Sequence, residues 1–162
     1  MSLLLVSKKR DFTSLKNALL KEDTNLDVEI WPKVERKERV NFAVCWNHPE
    51  HVLDSYANLR AVWSLGAGVN HLLNDESLDE NTPICRLITD SLKEQMADYV
   101  LNAVTNYRLH IPTFVDNKRV GKWEQMYAVP KSKITVGVMG LGEMGTPTAE
   151  HLVKNGYEVN GW

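Results

Sequence analysis

The sequence has little cysteine, no long apolar run and no strong excess of either charge. Its two cysteines, Cys45 and Cys85, lack metal-binding spacing, so we expect buried free thiols rather than a disulfide, as in a reducing cytosol. No run is long enough to span a bilayer, and the apolar N-terminus is too short for a signal peptide. We therefore expect a cytoplasmic globular protein.

The balance of charge also argues against two classes of partner. A formal net charge of −2 gives no electrostatic reason to expect nucleic acid or an anionic membrane. The composition, 43% hydrophobic and 25% charged, is ordinary for a globular protein. A length of 162 residues suits one domain, or one domain and part of another.

One glycine-rich segment stands out from this background. β-branched residues alternate with small ones over residues 134–138, a pattern typical of a strand buried within a parallel sheet. This strand leads into Gly140-x-Gly142-x-x-Gly145. Gly140 allows a tight turn, Gly142 lets a pyrophosphate approach the backbone, and Gly145 lets a helix pack closely on the strand.

A helix and a second strand follow these glycines. Residues 146–155 have a helical pattern that Gly156 is placed to end, and residues 157–162 form the next predicted strand. The order strand, glycine turn, helix, strand is that of a dinucleotide-binding βαβ unit, whose helix amides face the phosphates. A tight turn that binds nothing is the less favoured alternative, because three glycines are more than a turn needs.

The preceding part of the chain alternates short strands with helical or loop segments. We expect helices at 11–21 and 69–74, helical spacing at 52–59, and a solvated loop or short helix at 33–39. Asp11 is the candidate N-cap of the first helix, whose core stripe includes Leu15 and Leu19. The predicted strands are 3–6, 28–31, 42–46, 59–65 and 84–88. This alternation predicts an α/β fold with a parallel sheet, and a flavodoxin-like topology is the simplest.

The longest helical pattern covers residues 91–110. Ser91 and Glu94 form a plausible capping box, and Pro112 is expected to end the helix. Its apolar stripe consists of Leu92, Met96, Tyr99, Val100, Ala103, Val104 and Tyr107. Residues 113–133 follow as a polar connection, with a helical piece expected at 117–125.

The five histidines give no metal motif in the sequence. His48 and His51 are three residues apart, but no acidic or cysteine partner has matching spacing, so a solvated loop is the favoured interpretation. We expect His71 to cap its short helix, and His110 and His151 to be exposed on helices.

Several segments together resemble a known family, the D-isomer-specific 2-hydroxyacid dehydrogenases. They are Ala-Val-Trp-Ser-Leu-Gly-Ala-Gly-Val-Asn-His at 61–71, Glu-Gln-Met-Ala-Asp-Tyr at 94–99, Trp123, and the glycine motif with its strand at 134–145. Their order and spacing match over nearly the whole chain. The resemblance is strongest to a branch that reduces glyoxylate and hydroxypyruvate with NAD(P)H.

This resemblance implies a flavodoxin-like substrate domain at 1–90 and a connecting helix and arm at 91–133. The start of a Rossmann domain then follows at 134–162. It also implies a homodimer formed with help from the connecting segment, a small 2-oxo acid as substrate, and NADPH as the favoured cofactor, with NAD possible. The residue that selects between NADP and NAD would lie beyond Trp162.

Site residues are also carried over by the resemblance. Gly66, Ala67 and Gly68 match a loop whose amides hold the substrate carboxylate, although glycines there would equally serve a turn with positive φ. Trp46 matches an aromatic lining the substrate site, but core or rim packing is favoured on sequence alone. Met96 matches a position near the nicotinamide, with core packing again the simpler interpretation. The matching cofactor loop is Gly140, Leu141, Gly142, Glu143, Met144 and Gly145.

The family's catalytic histidine, glutamate and arginine lie further along its members and match nothing in these 162 residues. The chain therefore reads as the N-terminal part of a reductase, inactive by itself because no acid–base group is in place. The alternative is a truncated, catalytically inactive module that binds a nucleotide or dimerises. A different Rossmann enzyme, such as a 3-hydroxyacid dehydrogenase, is less favoured because those carry the glycine motif near the N-terminus.

Overall fold

The computed structural model describes residues 2–162, which divide into two compact units. The first unit ends at Leu87, and the second is Ile88–Trp162. Each unit contains its own parallel sheet. Within the described range no helix combines the length and apolar character that crossing a membrane requires.

The first unit is built on a five-stranded parallel sheet. The sheet order is β2-β1-β3-β4-β5, which confirms the flavodoxin-like topology expected from the sequence. Its helices are α1 (Thr13–Glu22) and α2 (Asn70–Leu73), with 3₁₀ turns at Lys37–Arg39 and Leu53–Ser55. The strands are β1 (Ser2–Ser7), β2 (Asp27–Ile30), β3 (Val40–Trp46), β4 (Ala61–Ser64) and β5 (Ile84–Arg86).

Both faces of this sheet are covered by apolar side chains, because successive residues of a strand point to opposite faces. Leu4 belongs to one buried cluster and Leu5, next to it, to another. Phe12 lies in the second cluster, where Leu15 and Leu19 of α1 pack against it, as the predicted stripe requires. Burying each such side chain contributes about 1.5–3 kcal/mol, so the two clusters are the main stabilising term of the unit.

The strand register brings functional candidates to one edge of the sheet. Cys45 of β3 is opposite Ser64 of β4, and Ser64 is opposite Arg86 of β5. Because the strands are parallel, Trp46 and the segment that follows Ser64 both emerge at the carboxyl end of the sheet. Ligands in open α/β sheets bind at this edge.

Two local predictions for the first unit were wrong. Asp11 lies one residue before the N-cap position, Phe12, and its carboxylate accepts a hydrogen bond from the Thr13 amide at 2.9 Å. The spacing at 52–59 gives only the 3₁₀ turn at Leu53–Ser55, which closes with a hydrogen bond from the Tyr56 amide to the Leu53 carbonyl. Apolar spacing there reflects burial of Leu53 and Tyr56 in one cluster rather than a helix.

The second unit holds the glycine motif. Strand β6 (Thr135–Val138), helix α5 (Gly145–Lys154) and strand β7 (Glu158–Gly161) form a βαβ unit with parallel strands, as predicted. Helix α5 ends before Gly156, whose φ is +83°. The expectation that β6 is buried was wrong, because its sheet has only two strands and its residues alternate between exposed and half-buried.

Two further helices precede the βαβ unit, α3 (Asp90–Arg108) and α4 (Ile111–Arg119). The predicted capping box at Ser91 was wrong, because Thr89 is the N-cap and its hydroxyl accepts from the Leu92 amide at 3.2 Å. Pro112 follows α3, as expected, but also lies in the first turn of α4. The helix expected at 117–125 therefore begins earlier, at Ile111. Proline suits a first turn because its missing N–H is not needed there.

Much of the apolar stripe of α3 is exposed. Ala97 is the buried residue of this helix, whereas Tyr99 and Tyr107 are each more than 70% exposed. Helix α3 packs on α5, and the hydroxyls of Thr105 and Tyr157 approach each other at 3.3 Å. The stripe therefore has only part of its width covered within the described residues.

Candidate functional site

The turn between β6 and α5 depends on two of its glycines. Gly140 has a φ of +87°, a conformation that favours glycine. A Cβ built on Gly145 would lie 1.9 Å from the backbone oxygen of Gly140. Any side chain at Gly145 would thus collide with the turn itself, so this glycine is a requirement of the fold.

Gly142 differs from Gly140 and Gly145, because the turn does not require a glycine there. A Cβ built on it meets no atom within 4 Å, and its φ lies outside the left-handed region. Neither packing nor backbone conformation explains a glycine at this position. The open space beside it lies at the start of α5, where the first amides of a helix have no partner within the helix.

The remaining residues of the turn are held from both sides. The Thr146 hydroxyl donates to the Leu141 carbonyl at 3.0 Å, and Met144 occupies the N-cap position of α5. Glu143 is paired with Lys93 of α3, with 2.9 Å between Nζ and Oε2. The six predicted cofactor residues at 140–145 are therefore one continuous turn, and Lys93 is a neighbour that the sequence did not reveal.

A second glycine loop lies at the carboxyl end of β4. The Ser64 hydroxyl donates to the Gly68 carbonyl at 2.6 Å and accepts from the Gly66 amide at 3.3 Å, which closes the loop over Ala67. Neither glycine has a positive φ, so the turn-conformation explanation offered for them was wrong. A Cβ on Gly68 would meet nothing within 4 Å.

Trp46 explains one of these glycines. A Cβ built on Gly66 would lie 2.6 Å from Cζ3 of the Trp46 ring, so the indole lies directly on the loop. The side chain is not part of either buried cluster, and the residue is 42% exposed. Packing within the core, the favoured interpretation from the sequence, is therefore excluded, whereas a position at the rim of the loop agrees with the structure.

His48 is buried, so the prediction of a solvated loop was wrong for it, whereas His51 is exposed as predicted. Its Nε2 donates to the Asp75 carboxylate at 2.7 Å, and both side chains are at most 2% exposed. Asp75 also accepts from the amide and hydroxyl of Ser77. Burial acts to raise the pKa of Asp75, but the hydrogen bonds from Ser77 and His48 outweigh it and lower the pKa below its usual range.

His71 joins this cluster instead of capping its helix. Its ring stands edge-on to those of Trp46 and His48, with centroids 6.2 and 5.8 Å away. Burial is the main reason that the pKa of His71 lies below 6.5. The neighbouring His48 lowers this pKa further, whereas a hydrogen bond with the Cys45 backbone partly offsets the shift. His71 is therefore neutral at pH 7. No sequence spacing linked Asp75 to these histidines, because the three side chains meet through the strand order of the sheet.

His110, His151 and the two cysteines each contact neighbouring groups of the fold. His110 lies between α3 and α4 with a φ of +56°, and its Nε2 lies 3.1 Å from the Tyr127 carbonyl. His151 is half-buried beside Asp98, so neither is simply exposed on a helix as expected. Both cysteines are free, as predicted, with Cys45 buried and Cys85 only partly so. Burial raises the pKa of Cys45 to about 12.

No metal centre is formed by the described side chains. Groups of three or more histidine, cysteine or acidic residues with metal-binding geometry do not occur in residues 2–162.

Met96, predicted from its helical spacing to be core, is 40% exposed, so that interpretation was wrong. Its exposure leaves the position available to a ligand.

Comparisons with known proteins agree with this description. The sequence model described as the NAD binding domain of 6-phosphogluconate dehydrogenase matches residues 135–162. Curated relatives named glyoxylate/hydroxypyruvate reductase A include one from Citrobacter koseri, 29% identical over 90% of this chain and 48% of the relative. Another, from Escherichia fergusonii, is 28% identical over the whole of this chain and 53% of the relative. The chain spans about half the length of the curated relatives it matches.

Solved structures give the same result. A D-isomer specific 2-hydroxyacid dehydrogenase from Xanthobacter autotrophicus Py2, in complex with NADPH and MES, is 32% identical with a TM-score of 0.90. The match covers 99% of this chain and 52% of that one. A D-isomer specific 2-hydroxyacid dehydrogenase family protein from Klebsiella pneumoniae 342 is 25% identical, with a TM-score of 0.85 over 100% of this chain and 51% of that one. These relatives confirm the resemblance seen in the sequence.

Proposed function

We propose that this chain, which is similar to the N-terminal half of D-isomer-specific 2-hydroxyacid dehydrogenases, belongs to an NAD(P)H-dependent reductase of small 2-oxo acids. In this proposal glyoxylate or hydroxypyruvate is reduced to glycolate or D-glycerate by hydride transfer. Residues 1–90 form the substrate domain, residues 91–133 connect the domains, and residues 134–162 begin the cofactor domain. The curated relatives carry the corresponding names.

The observation that carries the proposal is the open space at Gly142. The structure requires Gly140 and Gly145 for the turn itself, but it gives Gly142 no such role. A dinucleotide's pyrophosphate gives it one, because the phosphates must approach the backbone at this position and meet the amides of α5. The other predicted cofactor residues of the proposed binding surface are Leu141, Met144 and the exposed Met96, together with the backbone of Glu143.

Replacing Gly142 with valine tests this assignment. The new side chain would occupy the approach to the backbone while meeting no protein atom, so NADPH affinity should fall by about 100-fold or more, a loss of the size seen when a ligand is sterically excluded. Titration calorimetry of NADPH and of NADH into the 162-residue chain measures it. The matched control is Gly68→Val, which adds the same side chain to another glycine that has open space beside it and no positive φ. Equal affinity in Gly142→Val and the parent chain would contradict the cofactor assignment.

The glycine loop of the first unit is the proposed site of the substrate carboxylate. Ser64 fixes both ends of the loop, and the amides of Ala67 and Gly68 are the proposed donors to the anion. Trp46 closes one side of the loop with an apolar surface against Gly66. This combination of a small apolar wall and backbone donors suits a compact 2-oxo acid.

NADPH is the proposed cofactor, in preference to NADH. The similar enzyme from Xanthobacter autotrophicus Py2 was solved with NADPH, and the branch resemblance points the same way. The calorimetric titration therefore includes both nucleotides. A cytoplasmic location is part of the same proposal, since both cysteines are free and NADPH is a cytoplasmic reductant.

Within these 162 residues the chain supplies binding rather than proton transfer. The buried His48–Asp75 pair is committed to the first unit's interior, and Cys45 is too basic to ionise near neutral pH. We expect the chain alone to bind but not to turn over a 2-oxo acid.

The alternative function, a nucleotide-binding or dimerising module, is favoured by the exposed aromatic residues of the second unit.

The partner proposed for that surface is a second copy of this chain. The surface lies on α3, α4 and the arm that follows, where a groove is lined by Phe114, Trp123 and Met126. Its large exposed apolar residues are Tyr99, Tyr107, Ile111, Val115, Val120, Trp123 and Tyr127. Apolar patches of this kind on a folded protein mark interaction surfaces.

Replacing Trp123 with glutamate tests the dimer. Loss of a buried aromatic anchor commonly costs about 2 kcal/mol or more, so the dimer should dissociate at least ten-fold more readily. Sedimentation equilibrium of the parent chain and the variant measures this change. The control is Leu73→Glu, an exposed apolar residue of the first unit that should leave the association unchanged. A monomeric parent chain at micromolar concentration would contradict the proposed homodimer.

A further inference from the structure

The proposed pyrophosphate turn contains an acidic residue, which is unfavourable for an anionic ligand. Glu143 follows Gly142 directly, at the position where the backbone would approach the phosphates. A pyrophosphate carries negative charge, and two like charges a few ångströms apart near a protein surface repel appreciably. An uncompensated carboxylate here would oppose binding of a dinucleotide.

Lys93 of α3 compensates this charge. Its Nζ lies 2.9 Å from Glu143 Oε2 and 3.4 Å from Asp90 Oδ1, so one ammonium bridges two carboxylates. The Lys93 side chain is 25% exposed, whereas the Glu143 side chain is 53% exposed. The hydrogen bond to Glu143 is the largest cause of a raised pKa at Lys93, which keeps the ammonium charged throughout the neutral range.

We propose that Lys93 is a positioning residue for the cofactor, which holds the Glu143 carboxylate on α3 and neutralises it so that a dinucleotide pyrophosphate can occupy the turn. This inference rests on the proposed function and assigns to it a residue outside the glycine motif. Lys93 acts through Glu143, because its ammonium is already committed to that carboxylate and to Asp90. The alternative role, a direct contact between Lys93 and phosphate, predicts a different result in a double-mutant cycle.

The cycle uses Lys93→Gln, Glu143→Gln and the double variant, with NADPH titrated calorimetrically into the 162-residue chain. Lys93→Gln removes the positive charge that faces the Glu143 carboxylate, so affinity should fall about 5- to 10-fold at low salt. Glu143→Gln removes the repulsion and should bind at least as tightly as the parent chain. The double variant should regain the parent's affinity, since the turn no longer carries the carboxylate that Lys93 neutralises.

Salt dependence separates this electrostatic role from a structural one. The loss of NADPH affinity caused by Lys93→Gln should be smaller at about 0.5 M salt, because the screening length there is well below 10 Å. A loss of structure at the turn would persist at any salt. The matched control is Lys122→Gln, which breaks another exposed lysine–glutamate pair of the second unit, with Glu124 at 2.7 Å, and should leave affinity unchanged.

The outcomes distinguish this inference from the function on which it rests. If the parent chain binds no NADPH, the cofactor assignment fails and this inference fails with it. If the parent binds and Lys93→Gln binds equally well, this inference alone is overturned. If the double variant stays as weak as Lys93→Gln, Lys93 contacts the phosphates directly and the role through Glu143 is overturned.

Discussion

Replacing Gly145 with alanine is expected to destabilise the second unit by roughly 3 kcal/mol or more, as buried overpacking at a rigid position does. The added methyl would lie 1.9 Å from the Gly140 backbone oxygen, far inside van der Waals contact. That oxygen belongs to a turn whose φ of +87° already restricts its movement. The chain can relieve the overlap only by separating α5 from β6, which breaks the βαβ unit.

The measurement is urea unfolding followed through amide resonances of the second unit. The matched control is Gly142→Ala, in the same turn, where the methyl meets no atom within 4 Å and stability should change little. The amides of the first unit should be unaffected in both variants. A Gly145→Ala chain as stable as the control would show that the turn opens without cost, which contradicts the close packing described for it.

Replacing Asp75 with alanine is expected to destabilise the first unit by roughly 3 kcal/mol, because it leaves buried hydrogen-bonding groups without their acceptor. His48 would lose its carboxylate acceptor at 2.7 Å, and Ser77 would lose two hydrogen bonds. Asp75→Asn should fall between the parent and Asp75→Ala, since an amide oxygen still accepts one of these bonds.

Hydrogen exchange at the β3 and β4 amides measures this loss. The control is Asp54→Ala, whose partner His51 lies 3.4 Å away in an exposed pair worth about 0–1 kcal/mol. The pKa of Asp75 is lowered in the folded state, so its stabilisation is present above pH 3.8 and is lost as pH falls through the folded value. Stability of Asp75→Ala should therefore fall less on acidification than that of the parent. Equal losses in both aspartate variants would show that burial of the pair is unimportant.

Sequence patterns predicted the parts of the fold that depend on local chemistry and on topology rules. Alternating strands and helices identified a parallel sheet, and the right-handed crossover rule left few strand orders, of which the simplest, the flavodoxin-like one, is observed. The glycine motif predicted the βαβ unit because two of its three glycines mark steric requirements that few other residues meet. Gly145 meets that requirement through packing and Gly140 through φ.

The wrong predictions of burial have a common physical cause, because the burial of a side chain is decided by partners distant in sequence. His48 resembled a loop residue beside Pro49, but the fold brings Asp75 to it from the segment after β4. The stripe of α3 resembled a core surface, yet Tyr99 and Tyr107 are exposed because the described residues provide no element to cover them. The start of α3 was predicted wrongly for a smaller reason, since serine is by residue type a better N-cap than threonine and yet Thr89 occupies that position.

The position of β1 in the sheet has a consequence for synthesis on the ribosome. Strand β1 lies between β2 and β3 and is translated before both, so its apolar side chains stay without one neighbour until Trp46 has left the exit tunnel. Every pairing in this sheet is parallel, and each must wait for an intervening segment to be translated. Residues 3–6 are therefore an apolar segment without a pairing partner during that interval, which is when association with other chains is most favourable.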